Sequence, residues 1–465
     1  MLHAVVRDHL ETFLEDARHR SAHGFGVPRH VERELRNYLA CGILAHGFCR
    51  VRCTDCGFDR LVAFSCKGRA VCPSCRGRRM ADAAAHLLAR VLPSAPYRQW
   101  TLSVPWRLRP ALARDRKLLS AVLTCFVRAV FRWQRAQARA LGVVGAAPGA
   151  VTAIQRFGSV LNLNVHFHTL VPDGVFVADG VDGARFVPLP PPTDDDVAGV
   201  CARVVRRIHR LVDGDDRDDD DDDGTGALLA DAARSPMGTL PFAMPPPPLA
   251  KRLTASIDDF TLHADTAVAA SDRDGLERLA RYGARPPFAH QRLRLTASGQ
   301  VAYRLRRPWF TGQTELVLTP VAFLRRLAAL IPPPRQNQTR YHGVLAAHAK
   351  LRAAVTALVP GNLGPAPHAH HAAHAKPARP SPSRLPWSEL FRRVFREDLL
   401  VCPRCTGRMR VLAAITDPAV VDAILTHLDL PTEPPTVAAA RAPPQVPLWP
   451  GALDRPADLD AYDPA

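Results

Sequence analysis

The sequence predicts an α+β protein: an antiparallel sheet with helices on one side, preceded by a helical, cysteine-rich metal-binding module. Three observations predict it. Seven of the 11 cysteines fall between residues 41 and 75. Downstream, stretches with a two-residue apolar period alternate with stretches at helical spacing. Two of the period-two stretches, 151–158 and 161–171, follow one another across a short turn, as antiparallel neighbours do.

The first 45 residues are helical in pattern. In PRHVERELRNYLACGIL, Val31, Leu35, Tyr38 and Leu39 recur at helical spacing behind a proline suited to a first turn. The cysteine segment 49–79 follows, then a helix in MADAAAHLLARVLP. YRQWTLSVP (97–105) reads as a strand and LLSAVLTCFVRAVFRWQRAQAR (118–139) as a long amphipathic helix. The strands VTAIQRFG (151–158) and LNLNVHFHTLV (161–171) come next. In the second, Leu161, Leu163, Val165 and Phe167 share one face, and Asn162, Asn164, His166 and His168 the other. Both imidazoles point the same way, spaced either to hold one divalent cation or to form an ordinary polar face. With 19 His in 465 residues, a His-x-His arises about once by chance, so the pair alone leaves both readings open. Beyond 250, DRDGLERLARYG (272–283) and PVAFLRRLAALIP are helices, and RLRLTASGQVAYRLRRPW (292–309) is two strands around a turn.

Composition divides the chain. Residues 1–95 form a helical, cysteine-rich domain of zinc-binding pattern, and 96–352 a second, sheet-containing domain with an insert near 185–250. That insert contains GDDRDDDDDDGTG between proline-rich flanks and is expected to be disordered and solvated. Residues 353–392 form an Ala/His/Pro-rich linker whose His cluster is low-complexity sequence. A small unit with one CxxC spans 393–430, and a disordered tail spans 431–465. The formal charge of +17 favours a polyanionic partner, nucleic acid above all. No apolar run reaches the 18 or more residues that would suggest a membrane span, and acidic residues interrupt the N-terminus where a signal peptide would be apolar. A cytoplasmic, nucleoid-associated protein is expected.

Cysteines in such a compartment are metal ligands more often than disulfides. Cys53-x2-Cys56 and Cys72-x2-Cys75, fifteen residues apart, have the spacing of a tetrahedral zinc site that supplies folding energy. Cys49 and Cys66 lie between them and enter the ligand set. Seven cysteines exceed the four that one ion needs, so Cys41, Cys49, Cys66 or His46 could serve a second ion. Cys402-x2-Cys405 is half a site, whose other half is another subunit, His427 or nothing. Cys125 and Cys201 are incidental thiols. Arg76, Arg78 and Arg79 open the helix after the last knuckle, either within reach of DNA phosphates or as a solvated helix start.

A cysteine-rich module running into LVAFSCKGRAVCPSCRGRRM, then QWTLSVPWRLR, NLNVHFHTLVPDGVF, LERLARYGARPPFA and RYHGVLAAHAKLR, resembles the HUH-class rolling-circle insertion-sequence transposases. The likeness runs in the family's order from about residue 30 to about 430. It implies an HUH endonuclease-like sheet, Mg2+ or Mn2+ held by His166 and His168, and Tyr282 as the nucleophile on a scissile phosphate. It also implies a 5′-phosphotyrosine intermediate that lets single strands be nicked and rejoined without ATP. Elimination supports Tyr282: Tyr38 lies on an apolar helix face, Tyr97 and Tyr303 in strands and Tyr462 in the tail, which leaves Tyr282 and Tyr341. The two-tyrosine members carry a second tyrosine one turn earlier, where this chain has Arg278, so it resembles the single-tyrosine branch. Strand exchange then either reuses Tyr282 or recruits a second protomer, the second of which would take a homodimer. Gln155, on the preceding strand, is the candidate third metal ligand, and His342 and Lys350 are candidates for phosphate contacts. The implied partner is single-stranded DNA from the ends of the encoding element. The rival reading is a catalytically inactive, zinc-dependent DNA-binding protein derived from such a transposase.

Overall fold

A computed structural model describes residues 1–21, 24–213, 251–308, 312–360 and 385–441. The acidic block 214–224, the His cluster at 368–374 and the tail beyond 441 lie outside the described residues. The chain begins with α1 (Leu2–Arg20) and α2 (Arg29–Leu39), then β1 (Phe48–Cys53), β2 (Asp59–Ala63) and α3 (Pro73–Arg90). Next come β3 (Tyr97–Ser103), α4 (Arg109–Arg114), α5 (Arg116–Ala140), β4 (Gly149–Phe157) and β5 (Leu163–Pro172). The hairpin β6 (Gly174–Asp179) and β7 (Gly183–Pro188) leads into α6 (Asp194–Asp213). After the undescribed stretch follow β8 (Thr254–Ile257), β9 (Phe260–Val268), α7 (Arg273–Gly283), β10 (Leu293–Leu295), β11 (Val301–Arg304) and β12 (Glu315–Leu318). The chain continues through α8 (Pro320–Leu330), β13 (Thr339–Gly343), α9 (Arg352–Ala357), α10 (Trp387–Phe395), β14 (Met409–Ile415) and α11 (Pro418–His427).

The central sheet has six antiparallel strands in the order β13-β4-β5-β3-β9-β8. Alternation along the strands sends Trp100, Leu102, Ile154, Val165 and Phe167 to one face, where they pack on α4, α5 and α6. Helix α5 starts where the Asp115 carboxylate accepts hydrogen bonds from the backbone N–H groups of Lys117 and Leu118. The opposite face is not open: Tyr97, Val151 and Leu170 are buried under Ala84 and Leu87 of α3 and Leu276 and Ala280 of α7. Helices therefore cover both faces, where the sequence pattern suggested one. The reason is that the second layer meets the sheet through small side chains above a row of polar ones. To a reader of periodicity, that row looks like a solvated face.

Residues 185–213, expected to open the disordered insert, are ordered. Val197, Val200, Val204 and Ile208 recur at helical spacing in α6 and join the core against α5. Asp194, Asp195 and Asp196 belong to its first turn, where the helix dipole favours acidic groups. The indole of Trp133 donates to Asp196 at 2.9 Å.

The C-terminal unit does not stand apart either. Strand β14 pairs antiparallel with β1, from Phe48 opposite Ile415 to Cys53 opposite Met409, and completes the sheet β14-β1-β2. Val421 and Leu425 of α11 pack on Phe48. The beginning of the expected tail is tied down as well: Ala438 N–H donates to the Arg7 carbonyl, and Arg441 N–H to Thr12 Oγ1.

Phe167 is wholly buried at the centre of the larger core and Val181 is 99% exposed at the β6–β7 turn. Phe167→Ala should lower unfolding stability by about 3–5 kcal/mol, whereas Val181→Ala should stay within about 0.5 kcal/mol. Urea unfolding midpoints of the two variants check this.

Candidate active site and metal centres

His166 and His168 lie on the sheet face covered by α3 and α7, each 3% exposed, with ring centroids 4.8 Å apart. Each ring has its Nδ1 engaged. That of His166 is 3.0 Å from the Asn164 carbonyl, and that of His168 is 3.3 Å from Thr101 Oγ1, on the paired strand β3. The carbonyl can only accept, so His166 carries its proton on Nδ1 and turns a lone pair outward at Nε2. His168 Nε2 is buried without a hydrogen-bond partner in the chain, as are Asn164 Oδ1, both amide atoms of Asn162 and Gln99 Oε1. Burial drives the His166 pKa down to about 4, helped by the guanidinium groups of Arg285 and Arg109 and opposed by the Asn164 carbonyl. His168 is lowered well below its ordinary value by burial, by His166 and by Arg285. Both rings are therefore neutral near pH 7, the state that can ligate a cation.

Tyr282 stands beside this pair, its ring 5.2 Å from that of His168 and nearly perpendicular to it. It is carried by the last turn of α7, which begins where Asp272 caps the Gly275 N–H. The helix end is fastened to the sheet by Gln155, the cross-strand neighbour of His166. Its Nε2 donates to the carbonyls of Tyr282 at 2.7 Å and Gly283 at 3.1 Å. Its Oε1 accepts from Arg285 Nε at 3.4 Å. The Arg285 guanidinium lies over the Tyr282 ring, 4.4 Å from its centroid, and faces Phe157 as well. Below α7 is a small cavity lined by Gln99, Ala153, His168, Leu279, Gly283 and Thr339.

The site thus gathers His166, His168, Gln155 and Tyr282. Arg285, Arg109, Thr101 and Asn164 join it without having been singled out from the sequence. Asn164 shares a strand face with the histidines, a signal that was available, but arginine is so common here that Arg285 carried none. No third His, Cys, Asp or Glu forms a metal-binding group with the pair among the described residues. His342 faces the other side of the sheet, bonded to Thr152 Oγ1 at 3.1 Å, and does not reach the site. Lys350 is exposed near α9. Tyr341 packs in the α3–α7 layer beneath Arg352, and Arg278 is exposed, 3.6 Å from Asp272.

The cysteines form two tetrads, and their membership differs from the sequence reading. Cys41, Cys66, Cys72 and Cys75 make one, and Cys53, Cys56, Cys402 and Cys405 the other. In the first, Sγ atoms stand 3.5 Å apart for Cys41–Cys72 and Cys66–Cys75, and 3.8 Å for Cys41–Cys75. In the second, Cys53–Cys405 is 3.5 Å and Cys56–Cys402 3.6 Å. A tetrahedron with zinc–sulfur bonds of about 2.3 Å has sulfur–sulfur edges of about 3.8 Å. A disulfide would hold its sulfurs about 2.05 Å apart. Cys53 and Cys56 therefore do not share an ion with Cys72 and Cys75.

Cys49 belongs to neither group: it is four residues before Cys53 on β1, about 13 Å along the strand, among the apolar side chains of that face. His46 also stands outside both. Hydrogen bonds from Cys41, Cys66 and Cys72 hold the Cys75 thiol below its ordinary range, and Arg78, donating to its Sγ at 3.6 Å, adds to this. Arg76 and Arg79 donate to the carbonyls of Arg69 and Lys67. These arginines thus brace the loop that carries Cys66 and Cys72.

Residues 149–352 match the family described as "Putative transposase", and residues 5–104 match the transposase zinc-binding domain of the IS91 type. The first span contains Gln155, His166, His168 and Tyr282. The second contains the Cys41 tetrad complete, and of the other tetrad only Cys53 and Cys56. No curated protein and no solved structure matches the chain.

Two outcomes follow from this geometry. The folded-state pKa of His166 and His342 is depressed to about 4 by burial, against 6.5 ordinarily. The unfolded chain therefore binds more protons between those values. Stability is fully present above about pH 6.5 and falls by about 1.4 kcal/mol per unit for each such histidine as pH drops toward 4. Urea unfolding at pH 7.5 and 5.5 reads this slope, and equal stability at both would contradict the burial. Secondly, a Cβ at position 283 would lie 2.8 Å from that of Ala153. Gly283→Ala should cost about 1–3 kcal/mol and lift α7 from the sheet, seen as faster amide exchange over 276–283.

Proposed function

The chain belongs to the IS91-type rolling-circle transposases that carry an N-terminal zinc-binding domain, and from that premise we propose that it nicks and rejoins single-stranded DNA through a tyrosyl-phosphate bond. The observation that supports this reading best is the meeting of Tyr282 with two neutral, ring-anchored histidines on a buried sheet face. His166 and His168 would hold Mg2+ or Mn2+ through their Nε2 atoms. The orphaned Nε2 of His168 suits that role, and Asn164 Oδ1, two residues from His166 on the same strand face, is unpartnered as well. Such an ion keeps several waters and takes further oxygens from substrate phosphates, so two protein ligands with Gln155 nearby are a reasonable share. When bound, it would supply positive charge against the phosphate oxygens as negative charge grows there.

The chain's own groups do the rest. The phenol oxygen of Tyr282 attacks the scissile phosphorus. The Tyr282 Oη–P bond forms as the P–O3′ bond breaks, and the phenol proton ends on the released 3′ oxygen. Gln155 holds the helix end by its two carbonyl bonds, which fixes where that phenol stands. Arg285, stacked on the same ring, offers its guanidinium to a phosphate oxygen. Rejoining is the reverse step by a 3′-OH, carried out by Tyr282 again or in a second protomer.

Single-stranded oligonucleotides from the ends of the encoding element, incubated with Mg2+ or Mn2+, should become attached through a 5′ phosphate to a peptide containing Tyr282. Tyr282→Phe should abolish the adduct and leave DNA binding intact. His168→Ala should slow cleavage roughly 1,000-fold, as the loss of several kcal/mol of charge stabilisation requires. Wild-type cleavage by the Tyr282→Phe protein, or an adduct at Tyr341, would refute the assignment. Intact DNA binding with no cleavage under any metal would favour an inactive DNA-binding descendant instead.

A further inference from the structure

We propose that the tetrad Cys53, Cys56, Cys402 and Cys405 is a second zinc centre, built from both ends of the chain, that clasps a C-terminal arm across α3 and α7. Its donor atoms repeat those of the first tetrad. Sulfur separations of 3.5 and 3.6 Å match tetrahedral edges. Each half presents the same knuckle, a backbone N–H two residues on donating to the leading sulfur: Asp55 to Cys53 and Arg404 to Cys402, both at 3.4 Å. In the first tetrad Gly68 does the same for Cys66 at 3.3 Å. The zinc-binding domain that matches residues 5–104 contributes two ligands here, too few to close a structural site. The missing two come from more than 300 residues downstream.

The β1–β14 ladder and the packing of Val421 and Leu425 on Phe48 also hold the arm, but apolar cover at the tetrad itself is small. The apolar cluster there consists of Val51, Cys53, Cys402 and Met409, so half of its buried members are ligands. Along β14, Met409 is buried while residues 410–414 are exposed. Backbone bonds and one ion pair add to the joint: Thr54 N–H donates to the Arg408 carbonyl, and Arg60 meets Glu397 at 2.6 Å. At the tetrad end, where so small a core is buried, the joint takes its firmness from the metal.

The arm reaches toward the tyrosine-bearing helix. In α10, Phe395 lies under Arg78 of α3, and Arg393 stands 3.9 Å from Glu277 of α7. The Leu385 N–H just before α10 donates to Asp82 of α3 at 3.2 Å. Filling the second centre therefore fixes a helix that touches both α3 and α7. The two centres also differ in access. Cys56 and Cys405 are exposed, whereas every thiol of the first tetrad is buried or half-buried, so the clasp is the centre that loses its ion first.

Native mass spectrometry of the full-length chain should find two zinc ions. The double variant Cys402→Ser, Cys405→Ser should retain one. Amide exchange over 387–395 and 409–415 should then rise at least tenfold, while 97–103 and 163–172 stay as in the wild type. The same reading can be taken without a variant: zinc release from the wild type by a chromogenic chelator should be biphasic, with faster exchange in 387–395 accompanying the first ion. A wild-type chain that binds only one zinc, or a double variant that keeps two, would overturn the second centre. Unchanged exchange over 387–395 after the first ion leaves would overturn the clasp. None of these measurements depends on DNA cleavage, so they stand or fall separately from the proposed activity.

Discussion

Helix α7 can lie on the sheet as it does only because position 283 carries no side chain, since the nearest approach there is to Ala153. That single close contact sets the rest of the site. It brings the carbonyls of Tyr282 and Gly283 within reach of Gln155, so the orphan acceptors of the helix end are satisfied by a sheet side chain instead of water. It seats Leu276 and Ala280 in the layer with Ala84 and Leu87. It also roofs His166 and His168, and the roof is what makes them neutral. Packing, tyrosine placement and histidine protonation are three consequences of one helix-to-sheet distance.

A polar row under such a roof is costly unless something outside the chain completes it. Gln99, Asn162, Asn164 and His168 all leave buried atoms unpartnered on or beside this face. A purely structural histidine pair would be expected to find partners for both nitrogens within the fold. Here each ring finds a partner for Nδ1, which orients it, and Nε2 of His168 is left over. Both rings are thus held in orientation through Nδ1 while buried polar atoms on the same face go without a partner in the chain.

The parts of this design legible in the sequence were those set by local periodicity. Alternation placed the two histidines on one strand face, and the Gly283 stop marked Tyr282 as the last turn of a helix. Cysteine density and spacing announced zinc chemistry. The pairing of ligands was not legible, because spacing reports which residues can form a knuckle and not which knuckles meet. Cys53 and Cys56 look made for Cys72 and Cys75, fifteen residues on, yet the β1–β14 ladder delivers Cys402 and Cys405 to them instead. Helix α6 was hidden for a related reason: its valines keep helical spacing, but the aspartates and prolines on either side dominate the composition of the window. Arg285 lies within LERLARYGARPPFA, but in so arginine-rich a chain nothing in that stretch marked it; its stacking on Tyr282 and its bond to Gln155 set it apart.

The same long-range logic bears on what can fold alone. Residues 1–95 look self-contained by composition, with two helices and the cysteine segment. In the structure, Leu10, Phe13 and Leu14 of α1 share a core with Phe323, Leu324 and Leu327 of α8, and Asp16 pairs with Arg325 at 2.9 Å. The Asp16 side chain is 8% exposed, so separation from α8 would cost it a charged partner as well as apolar cover. One tetrad would survive such a cut and the other would lose half its cysteines. The zinc module is thus bound to the rest of the chain twice, once through the α1–α8 core and once through the cysteines it shares with the C-terminal arm. Its position relative to the tyrosine-bearing helix is set by the whole chain, and its own zinc fixes only its local fold.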